Sequence, residues 1–145
     1  MTSRDDPRDE VLPRAFGPLE VQVLEAVWRG PRPTTVRDLQ SSFPRCAYTT
    51  LMTTLDRLHK KGVLGRTKVG RAYAYEPRFE RPELEVRLAA RSVEQLLGAA
   101  QGRTALEPLL SCFVDAVSER DRLLLDDLER LLKAKRTRLV HGDSR

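Results

Sequence analysis

The chain has 145 residues, a formal net charge of +5, 32% charged residues and 40% hydrophobic residues. A chain of this length forms one compact domain or one small domain with a helical appendage, and no stretch approaches the roughly 18 continuous apolar residues of a membrane span. The charged N-terminus lacks the apolar core of a secretory signal, so we expect a cytoplasmic protein with no membrane insertion.

Side chains that could support catalysis or metal binding are few. The chain has two cysteines, Cys46 and Cys112, and two histidines, His59 and His141. Two isolated cysteines cannot supply the four ligands of a structural zinc site, and neither pairs with a histidine in a nucleophile pattern. We therefore expect no enzyme activity, no metal and no cofactor. A thiol at a helix N-terminus can be reactive, so a thiol-redox-responsive regulator that uses Cys46 stays open beside a packed structural thiol.

The first half of the chain predicts a tail and three helices. Residues 1–15 are predicted to be a flexible tail, and the segment LEVQVLEAVW that follows has the apolar periodicity of a core helix. Thr35 followed by Asp38 is a capping-box signature that predicts the start of a second helix. The third helix is predicted to begin near Tyr48 and to end before Gly62.

The third predicted helix has one apolar face and one polar face. Leu51, Leu55 and Leu58 share the apolar stripe because they lie three and four residues apart. The opposite face carries short hydroxyl side chains and long cations: Thr49, Thr53, Arg57 and Lys60. Such side chains can hydrogen-bond base edges and phosphates in a major groove of DNA.

A basic β-hairpin is predicted directly after this helix. Residues 63–68 and 72–76 have the pattern of short strands, separated by a turn at Gly70. Tyr73 and Tyr75 lie two residues apart in the second strand, so we expect both rings to cover the helical core. Stacking of these rings on nucleic acid bases stays open as the alternative.

Positive charge is concentrated in residues 57–71, which contain six cations and no Asp or Glu. These cations are Arg57, Lys60, Lys61, Arg66, Lys68 and Arg71. Three helices followed by a basic hairpin predict a winged helix-turn-helix domain over residues 16–79, with double-stranded DNA as its partner. A winged-helix module that binds another protein instead stays open as the alternative.

The second half of the chain predicts a separate helical lobe, so the whole fold is mainly α. Residues 80–138 are predicted to form three helices, with capping-box signatures at Thr104 and Ser118, and residues 139–145 a C-terminal tail. Three helices of this size cannot bury all their leucines, so pairing with a second copy is expected. The residues predicted for dimerisation are Leu84, Leu88, Leu96, Phe113, Leu124, Leu128 and Leu131.

Four segments of the chain resemble the penicillinase-repressor (BlaI/MecI type) family of bacterial transcription regulators: LEVQVLEAVW, TTVRDLQ, YTTLMTTLDRLHKKGVL and GRAYAYEP. The resemblance covers residues 19–77 and implies a homodimeric repressor on a palindromic operator, with the C-terminal helices holding the dimer together. The residues that the resemblance and the helical face assign to the major groove are Tyr48, Thr49, Thr50, Thr53 and Arg57. The residues assigned to the DNA backbone are Lys60, Lys61, Arg66, Lys68 and, at the wing tip, Arg71.

The same resemblance implies a route for relieving repression. In antibiotic-responsive members a membrane sensor protease triggers cleavage of the repressor at an Asn-Phe bond in the dimerisation lobe. The matching bond here joins Cys112 to Phe113, with cysteine in place of asparagine. Copper-responsive relatives carry a cysteine-rich metal site near the C-terminus, whereas this chain ends in HGDSR. The resemblance therefore implies a sensor protease as a candidate partner and no copper site.

Overall fold

A computed structural model of the protein describes residues 11–142. The chain divides into two compact units, Met1–Val93 and Glu94–Arg145. The elements of the first unit are α1 (Val11–Ala15), α2 (Pro18–Arg29), β1 (Thr34–Thr35), α3 (Val36–Gln40), α4 (Tyr48–Lys60), β2 (Leu64–Val69), β3 (Ala72–Pro77) and the first part of α5 (Arg81–Ala99). The second unit contains the rest of α5, α6 (Arg103–Arg120) and α7 (Leu123–Gly142). No helix in the described part of the chain is both long and apolar enough to cross a membrane.

The first unit has the predicted winged helix-turn-helix fold, which confirms the fold class. Helices α2, α3 and α4 are followed by the hairpin of β2 and β3, and β1 adds a third antiparallel strand in the order β1-β3-β2. Tyr75 at the centre of β3 lies opposite Thr34 on one side and Arg66 on the other. The short strand β1 ties the segment between α2 and α3 to the hairpin.

The core of the first unit lies beneath α4. The predicted apolar stripe of this helix, Leu51, Leu55 and Leu58, is fully buried, together with Leu24 and Val27 of α2. Burying a leucine side chain contributes about 1.5–3 kcal/mol, so this stripe fixes which face of α4 turns inward. The opposite face is left at the surface.

The predicted capping box of α3 is confirmed. Thr35 Oγ1 accepts a hydrogen bond from the Asp38 amide at 3.2 Å, and Asp38 Oδ2 accepts one from the Thr35 amide at 2.9 Å. The hydrogen bonds from the Thr35 backbone and hydroxyl hold the pKa of Asp38 below its ordinary value. The box starts α3 close to the point where β1 ends.

The predicted end of α4 at Gly62 is also confirmed, and the backbone geometry at Gly62 sets the direction in which the hairpin leaves the helix. Gly62 has a φ of 81°, and its amide donates to the His59 carbonyl at 2.9 Å. The Val63 amide donates to the Leu58 carbonyl at 3.2 Å, which completes a Schellman motif. The chain therefore turns directly from the exposed helix into β2.

Helices cover part of both segments that the sequence predicts to be tails. Residues 11–15 form α1, in which Leu12 is fully buried, and Phe16 just after it is 6% exposed. These two apolar side chains lie four residues apart, so one helical turn carries both into the core. Residues 1–10 lie outside the described residues. At the other end α7 continues to Gly142, so of the predicted C-terminal tail only residues 143–145 lie outside the described part.

The division between the two units falls after Val93, inside α5, whereas the sequence places it at residue 80. Leu84 is only 3% exposed in the core of the first unit, and Leu88 packs against that core. The indole Nε1 of Trp28 donates to the Phe79 carbonyl at 3.0 Å and holds the connector close to α2. Leu84 is thus corrected from a dimerisation residue to a core residue of one chain, whereas the partly buried Leu88 stays a predicted dimerisation residue.

The helices α6 and α7 of the second unit do not start at the two predicted capping boxes. Helix α6 has Gly102 as its N-cap and no side-chain cap, so Thr104 lies inside the helix. The carboxylate of Asp121 accepts from the Leu123 amide at 2.9 Å at the start of α7, while the Ser118 hydroxyl donates to a carbonyl of α6. Both predicted boxes are wrong: α6 already starts at Arg103, one residue before Thr104, and it continues past Ser118 to Arg120.

Candidate nucleic-acid interface

The exposed face of α4 is the centre of the candidate interface. Thr49, Thr50, Thr53 and Arg57 are all exposed, and Tyr48 at the start of the helix is 44% exposed. The structure thus brings the five residues predicted for the recognition helix to one surface. They lie within two and a half turns, a length that fits into a major groove.

The hydroxyl protons of two threonines are already engaged on α4 itself. Thr53 Oγ1 donates to the Thr49 carbonyl at 2.9 Å, and Thr54 Oγ1 donates to the Thr50 carbonyl at 2.8 Å. Thr54 is 6% exposed and belongs to the buried side. In this rotamer Thr53 offers its oxygen as an acceptor, which suits the exocyclic amine of adenine or cytosine.

Asp56 is a central residue of this face that the sequence analysis missed. Its carboxylate accepts from Lys60 Nζ at 2.9 Å and from Arg66 Nη1 at 2.9 Å. The hydrogen bond from Lys60 is the main reason that the pKa of Asp56 lies below its ordinary value. The pair between Asp56 and Lys60 could have been read from their four-residue spacing, but the charge count began one residue too late.

Arg66 joins the hairpin to α4. Besides its contact with Asp56, its guanidinium lies 4.2 Å from the centroid of the Tyr73 ring. Tyr75 is 2% exposed and confirms the prediction of a core tyrosine, whereas Tyr73 is 41% exposed and the same prediction is wrong there. The Tyr73 ring covers the Arg66 guanidinium instead of the helical core. Arg66 is therefore a positioning residue as much as a cation.

Lys61 is directed to the other side of the domain. Its Nζ lies 2.8 Å from a carboxylate oxygen of Glu20 in α2 and 5.1 Å from the centroid of the Phe16 ring. The Glu20 side chain is only 14% exposed, so Lys61 compensates a carboxylate with little access to water. Although the sequence assigns Lys61 to the DNA backbone, the structure engages it with Phe16 and with Glu20 of α2.

Three of the six cations carry no ion pair within residues 11–142: Arg57, Lys68 and Arg71. Lys68 and Arg71 flank the tip of the hairpin, where both are exposed. Gly70 has a φ of 63°, as the first central residue of a two-residue hairpin turn of type II′ requires. Of these six cations, the ones without an ion pair in the described residues thus lie at the wing tip and at Arg57.

A groove of about 490 Å³ lies between α4 and the hairpin. Its apolar side chains include Tyr48, Met52, Val69 and Tyr73, and its cations are Arg37 and Arg71. The sequence analysis missed Met52, which is 46% exposed on α4 beside the threonines. The sequence could have indicated Met52, because it is an apolar residue of α4 that lies outside the buried leucine stripe.

Both cysteines are free thiols, and the described residues contain no group of three or more histidine, cysteine or acidic side chains that could hold a metal ion. Cys46 is half-buried and packs against the hydrophobic core, whereas Cys112 is exposed.

The fold and this face define a winged helix-turn-helix regulator of transcription. Residues 16–134 match the model of the penicillinase repressor family. The chain belongs to this family, as the resemblance of its motifs implied. Membership of a family of repressors also confirms the prediction that the protein is not an enzyme.

Curated relatives support the same family assignment. The transcriptional regulator BlaI of Mycobacterium tuberculosis is 33% identical over 94 residues, in both strain CDC 1551 and strain H37Rv. The match covers 63% of this chain and 68% of the relative.

Two solved structures match this chain at low sequence identity. The Rv0081 protein of M. tuberculosis is 22% identical, with a TM-score of 0.42 over 65% of this chain and 96% of that one. The Q18P mutant of MepR from a Staphylococcus aureus clinical isolate is 15% identical, with a TM-score of 0.44 over 79% of this chain and 86% of that one.

Proposed function

We propose that the protein is a cytoplasmic homodimeric repressor that binds a palindromic operator in double-stranded DNA. The observation that carries the proposal is the exposed threonine and arginine face of α4, next to a hairpin whose tip carries two cations that form no ion pair with the residues the structure describes. In a dimer, two copies of α4 would enter major grooves about one helical turn apart on one side of the DNA. Occupation of a promoter would then block transcription.

The exposed residues divide into those that would contact base edges and those that would contact phosphates or position other side chains. Thr49, Thr53 and Arg57 would contact base edges, because they project from the middle of the exposed face. Lys68 and Arg71 at the wing tip would contact phosphates and give affinity without sequence preference. Lys60 and Arg66 would mainly hold Asp56 and keep the hairpin in place.

The surface of the second unit supports dimerisation. Neither α6 nor α7 contains a buried residue among those described, although both are rich in leucine. The predicted dimerisation residues in this unit are Leu96 (57% exposed), Phe113 (53%), Leu124 (40%), Leu131 (56%) and the half-buried Leu128. Burying each such side chain is worth about 1.5–3 kcal/mol, so association of two copies would remove a large unfavourable exposure.

DNA binding is tested by incubating the purified full chain with fragments of the genome of its source at moderate salt. Retention of a small set of promoter fragments, each with two inverted half-sites, is expected. Equal retention of all fragments would refute sequence-specific repression. Retention of none would favour the winged-helix protein-interaction module.

Dimerisation is tested with Leu131→Glu, which places a charge in the exposed leucine stripe of α7. The variant should sediment as a monomer and lose operator affinity, because two linked contacts become one. Val86→Glu is the matched control, since Val86 is 68% exposed but lies in the first unit. A Leu131→Glu variant that stays dimeric would exclude this stripe from the interface.

Relief of repression by a sensor protease at the bond between Cys112 and Phe113 stays a prediction. Both side chains are exposed, which supports access. The bond lies inside α6, however, so cleavage would require this helix to open locally before a protease could bind an extended chain. Co-expression with a membrane protease encoded beside the repressor gene, followed by mass spectrometry, would show whether a fragment ends at Cys112.

A further inference from the structure

We propose that the groove between α4 and the hairpin receives the 5-methyl groups of thymine, and that Met52 is the side chain that reads them. This inference rests on the proposed DNA-binding function and deepens it. It adds an apolar contribution to sequence readout, alongside the polar contacts of Thr49, Thr53 and Arg57.

Within the first unit, exposed apolar side chains are concentrated at this groove. Of the six exposed large apolar side chains in the described part of the first unit, four line the groove: Val69 is 61% exposed, Met52 46%, Tyr48 44% and Tyr73 41%. Tyr48 and Met52 lie one turn apart on α4, and the other two belong to the hairpin. A contiguous apolar patch on a small protein indicates a binding surface.

The position of Met52 on α4 directs it to the same groove of DNA as the threonines. Met52 lies between Thr49 and Thr53 in the sequence, and all three side chains are exposed. If the threonines contact base edges, Met52 would face the same DNA groove, within reach of the neighbouring base pairs. A methionine side chain is unbranched and adapts to the shape that it contacts.

The charge at the groove selects DNA among the possible occupants. Its lining includes Arg37 and Arg71 and, within the described residues, no Asp or Glu. The occupant should therefore combine negative charge with small apolar groups. In duplex DNA the thymine methyl is the apolar group of the major-groove edge, and phosphates flank it. A second copy of this chain would instead bring two cationic surfaces together.

The test uses the DNA fragment that the protein itself selects. Thymines are replaced one at a time by deoxyuridine, which removes the 5-methyl group and keeps every hydrogen-bonding group and phosphate. The wild-type protein should lose about fourfold in affinity for each methyl that it contacts, the value of one buried carbon. Loss should be confined to one or two positions in each half-site.

Variants then assign the effect to Met52. Met52→Ala should bind thymine and deoxyuridine DNA alike at those positions, whereas Met52→Leu should keep the discrimination because it keeps the apolar volume. Val86→Ala, an exposed apolar residue away from the groove, should behave as wild type. Thermal melting of each variant checks that folding is unchanged.

Two results would overturn the inference while leaving the proposed function intact. One is equal binding of thymine and deoxyuridine DNA by the wild type at every position. The other is a Met52→Ala variant that still discriminates as wild type does. Failure to select any DNA fragment would instead refute the proposed function, and this inference with it.

Discussion

The salt dependence of DNA binding should separate the free cations from the paired ones. Lys68 at the wing tip has no ion pair within the described chain, whereas Lys61 lies 2.8 Å from Glu20. Replacing each by alanine removes one positive charge. Only the loss of Lys68 should remove a phosphate contact, because Lys61 is held against α2.

The expected magnitude follows from counterion release. Each phosphate contact adds about 0.9 to the slope of log affinity against log salt concentration, so two copies of Lys68 contribute about 1.8. Between about 50 and about 200 mM salt, wild type should therefore lose about twelvefold more affinity than Lys68→Ala loses. Lys61→Ala should keep the wild-type slope, even if the unpaired Glu20 lowers its stability.

Fluorescence anisotropy of a labelled operator, titrated at four or five salt concentrations, measures these slopes. Urea unfolding run in parallel separates any loss of stability from a loss of contacts. Equal reductions of the slope in the two variants would show that the pair between Lys61 and Glu20 breaks on DNA. An unchanged slope for Lys68→Ala would remove the wing tip from the interface.

Three further predictions follow from the same surface. Arg57→Ala should weaken binding to the selected operator by about 1–3 kcal/mol and random DNA far less; equal losses in competition assays would exclude base readout by Arg57. Gly62→Ala should lower the free energy of unfolding by about 1–2 kcal/mol because of its positive φ, whereas Gly98→Ala, with open space inside α5, should not; denaturant melts of the two variants decide this. The pKa of Asp56 is lowered in the folded state, so its stabilising effect is present above its ordinary pKa and lost as the pH falls below it. The stability difference between wild type and Asp56→Asn should therefore shrink below about pH 4 in urea melts, and a constant difference would contradict this.

The sequence by itself determined the local structure of the first unit. The buried face of α4, the capping box at Thr35 and Asp38, the helix end at Gly62 and the hairpin after it were all predicted. Each depends on residues within a few positions of one another, where periodicity, capping and turn geometry decide the conformation. These elements, with the family motifs that they carry, also indicated the class of protein.

The tertiary structure decided which charges are free and which apolar residues are buried. Lys61 pairs with Glu20, 41 positions away, and Arg66 reaches Asp56 only because the hairpin folds back along α4. Leu84 continues a leucine pattern that looked like a dimer stripe, yet the connector packs it into the core of the first unit. Such partners are distant in the chain, and only the packing of the elements brings them into contact. The sequence had already assigned Arg57, Lys68 and Arg71 to DNA; the fold separated them from the paired Lys60, Lys61 and Arg66 and added the groove at Met52.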